Sequence, residues 1–289
     1  MTPDPRQSSI SAEDREFLAA QRELLKSLGF CCLTELPPVL TQERGTSAPS
    51  VSTPVSPPKS PQRPPAPAAP VASPQRVVPH QPLVSATSPF TAPLLTLEQR
   101  LEQLAAITAE AAACTACRLH LGRTNIVPGE GNPMAELMFI GEGPGESEDL
   151  QGRPFVGRSG ELLTKIIEAM TFKREEVFIG NVVKCRPPEN RKPHADEMET
   201  CLPYLARQVE IIRPKVIVTL GVTALTGLLP EHIKTPIGKI RGQWLEYRGI
   251  PVMPTLHPAF LLRQPTQKRL VWEDMQLVMA KFGRQPEKP

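Results

Sequence analysis

Residues 137–149 read Leu-Met-Phe-Ile-Gly-Glu-Gly-Pro-Gly-Glu-Ser-Glu-Asp. The four apolar residues Leu137 to Ile140 form the short continuous run expected of a strand buried on both faces. Gly141, Gly143 and Gly145 follow, with Pro144 among them. Glycines there let the backbone turn sharply and bring its N–H groups close to a ligand with no Cβ in the way. Four carboxylates, Glu142, Glu146, Glu148 and Asp149, surround the turn. A strand that ends in such a turn is where an open α/β sheet places its ligand.

The same alternation extends in both directions. Downstream, a helical pattern from about 160 to 170 carries Leu162, Leu163, Ile166 and Ile167 on its apolar side. A second strand is expected over Val177–Val183 and a third over Val216–Leu220, closed by Gly221. Between them a helical pattern covers 195–212, and Pro203 predicts a kink or a break in it. Trp244–Tyr247 and Val252–Leu256 read as strands, the latter ending at His257, and a final helix lies near 269–282. Upstream, Thr96 and Gln99 open a helix with Leu97, Leu101, Leu104 and Ile107 along one face, which runs into Cys114. This order predicts an α/β fold: a three-layer α/β/α sandwich with a central, mainly parallel, four-stranded sheet. In such a sheet the carboxyl ends of the strands converge on one crevice. Glu142 and Gly143, Asn181 and His257 are therefore expected to share a pocket.

The chain of 289 residues has room for one or two domains. Sixteen prolines lie from Pro37 to Pro93, and no Asp or Glu occurs from Gly45 to Leu97. That composition cannot build a core, so 45–95 is expected to be a disordered, Pro-rich tether. As flexible coil about 50 residues span on the order of 40 Å, and proline stiffens them. Three regions follow: an N-terminal helix segment over 1–44, the linker over 45–95 and a folded domain over 96–289. Within the first, Ser11 and Asp14 suit a capping box, Gly29 a stop, and Phe17, Leu18, Leu24, Leu25 and Leu28 one apolar stripe. A lone helix of that length is marginal in water, so its stripe needs a surface, either the distant domain or another protein.

A formal charge of +3 favours nucleic acid only slightly. No run is long and apolar enough to span a membrane, and the early acidic residues argue against a secretory signal. The expected setting is the cytoplasm, with its nucleoid, where thiols stay reduced. Cys31 and Cys32 are adjacent and suit burial better than chelation. Cys114 and Cys117 form a CxxC pair, and Cys185 and Cys201 stand singly, with fifteen residues between them. Spacing alone leaves an iron–sulfur cluster, zinc and unliganded thiols all open, because a structural zinc site usually shows two close pairs.

Four segments together resemble a known group. They are GEGPGESED (141–149), GRPFVGRSG (152–160), NVVKCRPPENR (181–191) and HPAFLLR (257–263). In order and spacing they look like the family 4 uracil-DNA glycosylases, a cluster-bearing branch of the uracil-DNA glycosylase superfamily. The likeness runs roughly from 110 to 282 and leaves out the first ninety-odd residues. It implies a DNA repair hydrolase that removes uracil, acts as a monomer and holds a [4Fe–4S] cluster through Cys114, Cys117, Cys185 and Cys201. It further implies that Phe155 stacks on the extruded base and that Glu142 and Gly143 line the uracil site. Asn181 would pair with the uracil edge, and His257 would stabilise charge on O2. Leu261, Leu262 and Arg263 would form a loop that wedges into the minor groove.

The residues suit those roles chemically. An amide can match the N3–H and O4 of uracil, whereas cytosine presents the reverse pattern and leaves buried groups unmatched. A donor preorganised at the oxygen that gains charge is often the largest catalytic contribution. Glu142 could also orient water, and Glu148 could guard against the methyl group of thymine; otherwise Glu148 and Asp149 are a solvated acidic run. Lys184, Arg186, Arg191, Lys192, Lys268 and Arg269 are candidates for phosphate contacts. Two other readings compete. The spacing GxGxG faintly suggests a dinucleotide turn, but it is not GxGxxG, and the acidic run would repel a pyrophosphate. A non-catalytic cluster protein that binds DNA or a polymerase would not need Phe155, Asn181 and His257 together. The N-terminal helix, beyond its long tether, could dock the enzyme on a replication or repair partner.

Overall fold

A computed structural model of the chain describes residue 90 and residues 93–284. The helix expected over 11–28, Cys31, Cys32 and nearly all of the proline tether lie outside the described residues. Among them, no helix is long and apolar enough to cross a membrane.

Helix α1 (Leu97–Ala113) begins at a reciprocal cap: Gln99 N donates to Thr96 Oγ1, and Thr96 N donates to Gln99 Oε1. A two-residue strand β1 (Glu130–Gly131) precedes β2 (Leu137–Gly141), which delivers the glycine turn. The short helix α2 (Glu146–Gln151) and the longer α3 (Arg158–Ala169) lead to β3 (Phe178–Asn181). Then come α4 (Ala195–Ile212), β4 (Val216–Leu220) and α5 (Val222–Leu228). The one-turn helix α6 (Ile237–Ile240), β5 (Leu245–Tyr247), β6 (Ile250–Thr255), α7 (Pro258–Arg263) and α8 (Lys268–Lys281) complete the domain.

The sheet has six strands in the order β1-β3-β2-β4-β6-β5. Its core, β3-β2-β4-β6, is the parallel four-stranded sheet expected from the sequence. Short antiparallel strands, β1 and β5, extend it at the two edges. Strand β2 shows why its apolar run is unbroken. Leu137 and Phe139 face one core with α3 and α8, while Met138 and Ile140 face the other with α1, α4 and α5. A strand covered on both faces has no solvent side to mark with polar residues.

Two local expectations need correction. Of the kink or break expected at Pro203, the break does not occur: helix α4 runs through it. The proline removes one hydrogen bond, to the carbonyl of Glu199, an exposed residue, while Tyr204, Leu205, Gln208, Val209 and Ile212 hold the following turns in the core. In α1 the buried positions are Arg100, Ile107 and Ala111, with Leu104 partly covered, whereas Leu97 and Leu101 are exposed. The folded region also reaches back beyond residue 96. The Phe90 ring lies between two guanidiniums, 4.9 Å from Arg213 and 3.9 Å from Arg248.

Candidate active site

The chain leaves β2 towards β3 on one side, and β4 continues towards β6 on the other, so the strand order reverses between β2 and β4. A cleft of about 530 Å³ opens there, at the carboxyl ends of the strands. Glu142 and Gly143 line it after β2, Asn181 at the end of β3, Gly221 after β4 and His257 after β6. Phe155 and Glu148 complete the wall nearest the glycine turn. The residues predicted to meet from three separate strand ends therefore do meet.

Asn181 sits opposite Gly141 in the parallel ladder and is 1% exposed. Its Oδ1 accepts no hydrogen bond among the described residues. A buried amide oxygen left unpaired costs roughly 1–3 kcal/mol, so it marks a place where a donor is awaited. The main chain around it is firmly held. Val182 N donates to Gly141 O and Val183 N to Glu142 O, which ties the glycine turn to the end of β3.

Phe155 is buried and adopts φ 51°, a left-handed conformation unusual for an aromatic residue. Its surroundings impose that conformation. Glu148 Oε1 accepts from Val156 N and Gly157 N, each at 3.0 Å, while Oε2 accepts from Gly145 N at 3.2 Å. Arg174 donates to Pro154 O and to Glu130, and Arg153 also pairs with Glu130. A Cβ at Gly160 would lie 1.9 Å from Phe155 O, so only glycine fits beneath the loop. The Phe155 ring stands 5.8 Å from that of His257, tilted by 30°.

His257 caps α7, and its Nδ1 accepts from Ala259 N at 3.1 Å. In the neutral ring the proton must then reside on Nε2. Burial, reinforced by the Arg263 guanidinium, lowers its pKa to about 4, although the Glu148 carboxylate pulls the other way. The imidazole is therefore neutral at pH 7 and offers Nε2–H as a donor.

Several residues take places that the sequence did not predict. Glu148 and Asp149 are buried and bonded, not a solvated run: Asp149 accepts from Thr124 N through both oxygens at 3.0 Å. Glu148 braces two loops through three backbone amides, so its carboxylate is engaged within the protein. Lys184 is no surface cation. It is 1% exposed, its Nζ donates to Asn181 O and Gln208 Oε1, and burial lowers its pKa to about 8. Arg191 is engaged by the wholly buried Glu197, with two bonds of 2.8 and 2.6 Å. Arg118 and His194 N complete that carboxylate's shell, and the Arg191 guanidinium leads in holding its pKa down to about 2. Arg186 bonds Asn190 and Arg269 pairs with Glu273, whereas Lys192 is exposed on the rim of the cleft. Leu261 is 0% exposed and belongs to the core below α7; Leu262 and Arg263 are the exposed members of that segment.

The four cysteines line one small cavity, together with His120, Arg123 and Tyr204. Cys114 ends α1, Cys117 precedes a single 3-10 turn, Cys185 follows β3 and Cys201 lies within α4. Arg123 donates to Cys185 Sγ, and Lys184 N to Cys201 Sγ, both at 3.2 Å. Burial raises the thiol pKa values of Cys117 and Cys185, and that of Cys201 to about 12. Among the described residues no three His, Cys, Asp or Glu side chains form a group fit for a single metal ion.

Sequence reading missed Gly221, Ile237 and the Pro187–Lys192 loop as parts of the cleft. Gly221 carried a usable signal, since it closes a buried strand at the switch of strand order. A Cβ there would lie 3.2 Å from that of His257.

Known proteins share these features. A family model described as the uracil DNA glycosylase superfamily matches residues 128–276. The chain is 48% identical to a type-4 uracil-DNA glycosylase of Thermotoga maritima over 180 residues, 61% of this chain and 93% of that protein. It is 46% identical to one from Saccharolobus solfataricus, over 64% of this chain and 89% of the relative. For one from Archaeoglobus fulgidus the identity is 41%, over 64% and 96%.

Proposed function

Because the chain belongs to the uracil-DNA glycosylase superfamily, and within it to the type-4 enzymes, we propose that it excises uracil from DNA. It hydrolyses the N-glycosidic bond of deoxyuridine, releasing free uracil and leaving an abasic site for base excision repair. The observation that carries this reading is the unpaired, buried Oδ1 of Asn181 in a cleft shared with Phe155 and His257.

Extracting a base from the stack costs a few kcal/mol, which the cleft must return. Phe155 supplies a flat wall for stacking. Asn181 Oδ1 accepts N3–H of uracil, and its amide donates to O4. Cytosine would set acceptor against acceptor at Oδ1, the mismatch that buried polar sites reject most strongly. As the C1′–N1 bond breaks, its electron pair passes to N1 and the charge spreads to O2. The Nε2–H of neutral His257 meets that oxygen without first having to lose its own charge. Water adds its oxygen to C1′ and releases a proton to solvent, with Glu142 orienting the water and Gly143 lining the base through its backbone. Leu262 and Arg263 enter the minor groove beside the extruded nucleotide, and Lys192 contacts phosphate.

The cysteine cavity suits a [4Fe–4S] cluster. Four thiols around one cavity are the donor set that such a cluster takes. Cys114, Cys117, Cys185 and Cys201 would hold it, and bound there it would cross-link α1, the loop after β3 and α4.

The test is an oligonucleotide bearing one uracil, incubated with the protein and then treated with alkali. Strand cleavage at the uracil is expected, with none at cytosine in the same place; an uncut strand refutes the reading. His257→Ala should slow excision about 10²- to 10³-fold, with little change in DNA binding.

A further inference from the structure

We propose that Lys184 is a positioning residue for Asn181, an inference that rests on the uracil-excision reading above. Every polar group of Lys184 is engaged. Its backbone N donates to Cys201 Sγ at 3.2 Å, and its O accepts from Val127 N at 2.8 Å. The ammonium donates to Asn181 O at 2.9 Å and to Gln208 Oε1 at 2.7 Å, and neither acceptor is a carboxylate. Gln208, itself 2% exposed, is fixed in turn by donating to Pro128 O at 2.7 Å.

Burying a cation without a carboxylate is among the costlier choices a core can make, and an apolar side chain would fill the same space. What the ammonium accomplishes is local. It folds back over three residues and closes the turn in which β3 ends, where the Asn181 side chain departs for the cleft. Because Asn181 Oδ1 has no partner of its own, that oxygen is aimed by its main chain. Lys184 holds that main chain at its carbonyl. The same residue meets Cys201 through its backbone, so the uracil edge and the cysteine cavity are joined at one position.

A double-mutant cycle tests this: full-length wild type, Lys184→Met, Asn181→Ala and the double variant, each purified anaerobically and assayed in single turnover on a uracil-bearing duplex. Since the hydrogen bond from Lys184 to Cys201 comes from its backbone N, which the substitution keeps, Lys184→Met should leave visible absorbance per mole unchanged. It should slow excision about 10- to 100-fold alone, yet less than about threefold in the Asn181→Ala background. Equal losses in both backgrounds, a Lys184→Met rate within about threefold of wild type, or a fall in absorbance that tracks the rate would each overturn the proposal. Should Lys184→Met fail to melt cooperatively, Gln208→Leu, which removes the second acceptor that holds the ammonium against Asn181 O, takes its place in the cycle. Wild type that leaves the uracil strand uncut would count against the excision reading, not against the role of Lys184.

Discussion

A methyl group at Gly141 would lie 2.4 Å from Asn181 Oδ1 and 2.6 Å from Phe155 Cζ. Both neighbours belong to the uracil cleft, and neither is the loose end of a flexible chain. Gly141→Ala should therefore cost at least about tenfold in single-turnover excision while the protein still melts cooperatively, since overpacking costs about 1–3 kcal/mol. A rate within about twofold of wild type would mean that the cleft is softer than its contacts imply. His257 makes a pH prediction. Its folded pKa of about 4 lies below the ordinary 6.5, so at acid pH the unfolded chain takes up the proton first. The stability it contributes is complete above 6.5 and is lost as pH falls from there through 4. Melting curves of wild type and His257→Gln should converge across that window; parallel curves would refute the assignment. These two residues could be singled out from the chain because glycine after a strand, and histidine before a Pro turn, are unusual choices. Lys184 could not, because a lysine beside Arg186 in a polar segment looks like any surface cation, and only burial changes its meaning.

Helix α1 is joined to the domain by a buried cation as well. Arg100 is 4% exposed and donates to the carbonyls of Leu95, Pro133 and Ile212, the last at the end of α4. Burial lowers its pKa, with the Arg213 charge adding to the effect. Arg100→Met leaves those carbonyls without their donor and should destabilise the domain by about 2–4 kcal/mol. Thermal melting measures that loss, and excision at 25 °C should survive it, because α1 does not line the cleft. Elements of this kind were largely readable from the sequence: the capping pair of Thr96 and Gln99, the apolar runs of the four core strands and the spacing within α3. Pro203 does not break α4, because a proline rule is local, whereas six buried side chains on the following turns keep the helix continuous. β1 was missed because two residues carry no period.

For the chain as a whole, the tether and the folded domain should separate cleanly, provided the cut respects Phe90. Deleting 1–89 should leave excision from naked oligonucleotides within about twofold of the full chain, and a partner held through residues 1–44 would then be lost in a pull-down. Deleting 1–95 also removes the Phe90 ring from between Arg213 and Arg248 and Leu95 O from Arg100, so that variant should melt at a lower temperature. Equal melting temperatures would show that the two contacts add nothing.

Local pattern was enough to establish the layered α/β architecture, the four parallel strands and the strand ends that supply Glu142, Asn181 and His257. Periodicity and glycine placement are properties of neighbouring residues, and they survive without knowledge of the fold. Which charges lie inside was not legible in that way. Asp149, Lys184 and Glu197 take partners from distant residues (Thr124, Gln208 and Arg118), Glu148 is enclosed by the loop that carries Val156 and Gly157, and Leu261 is core because α7 turns it inward. Burial and hydrogen-bond partnership depend on long-range contacts, and those exist only once the sheet has brought the strand ends together.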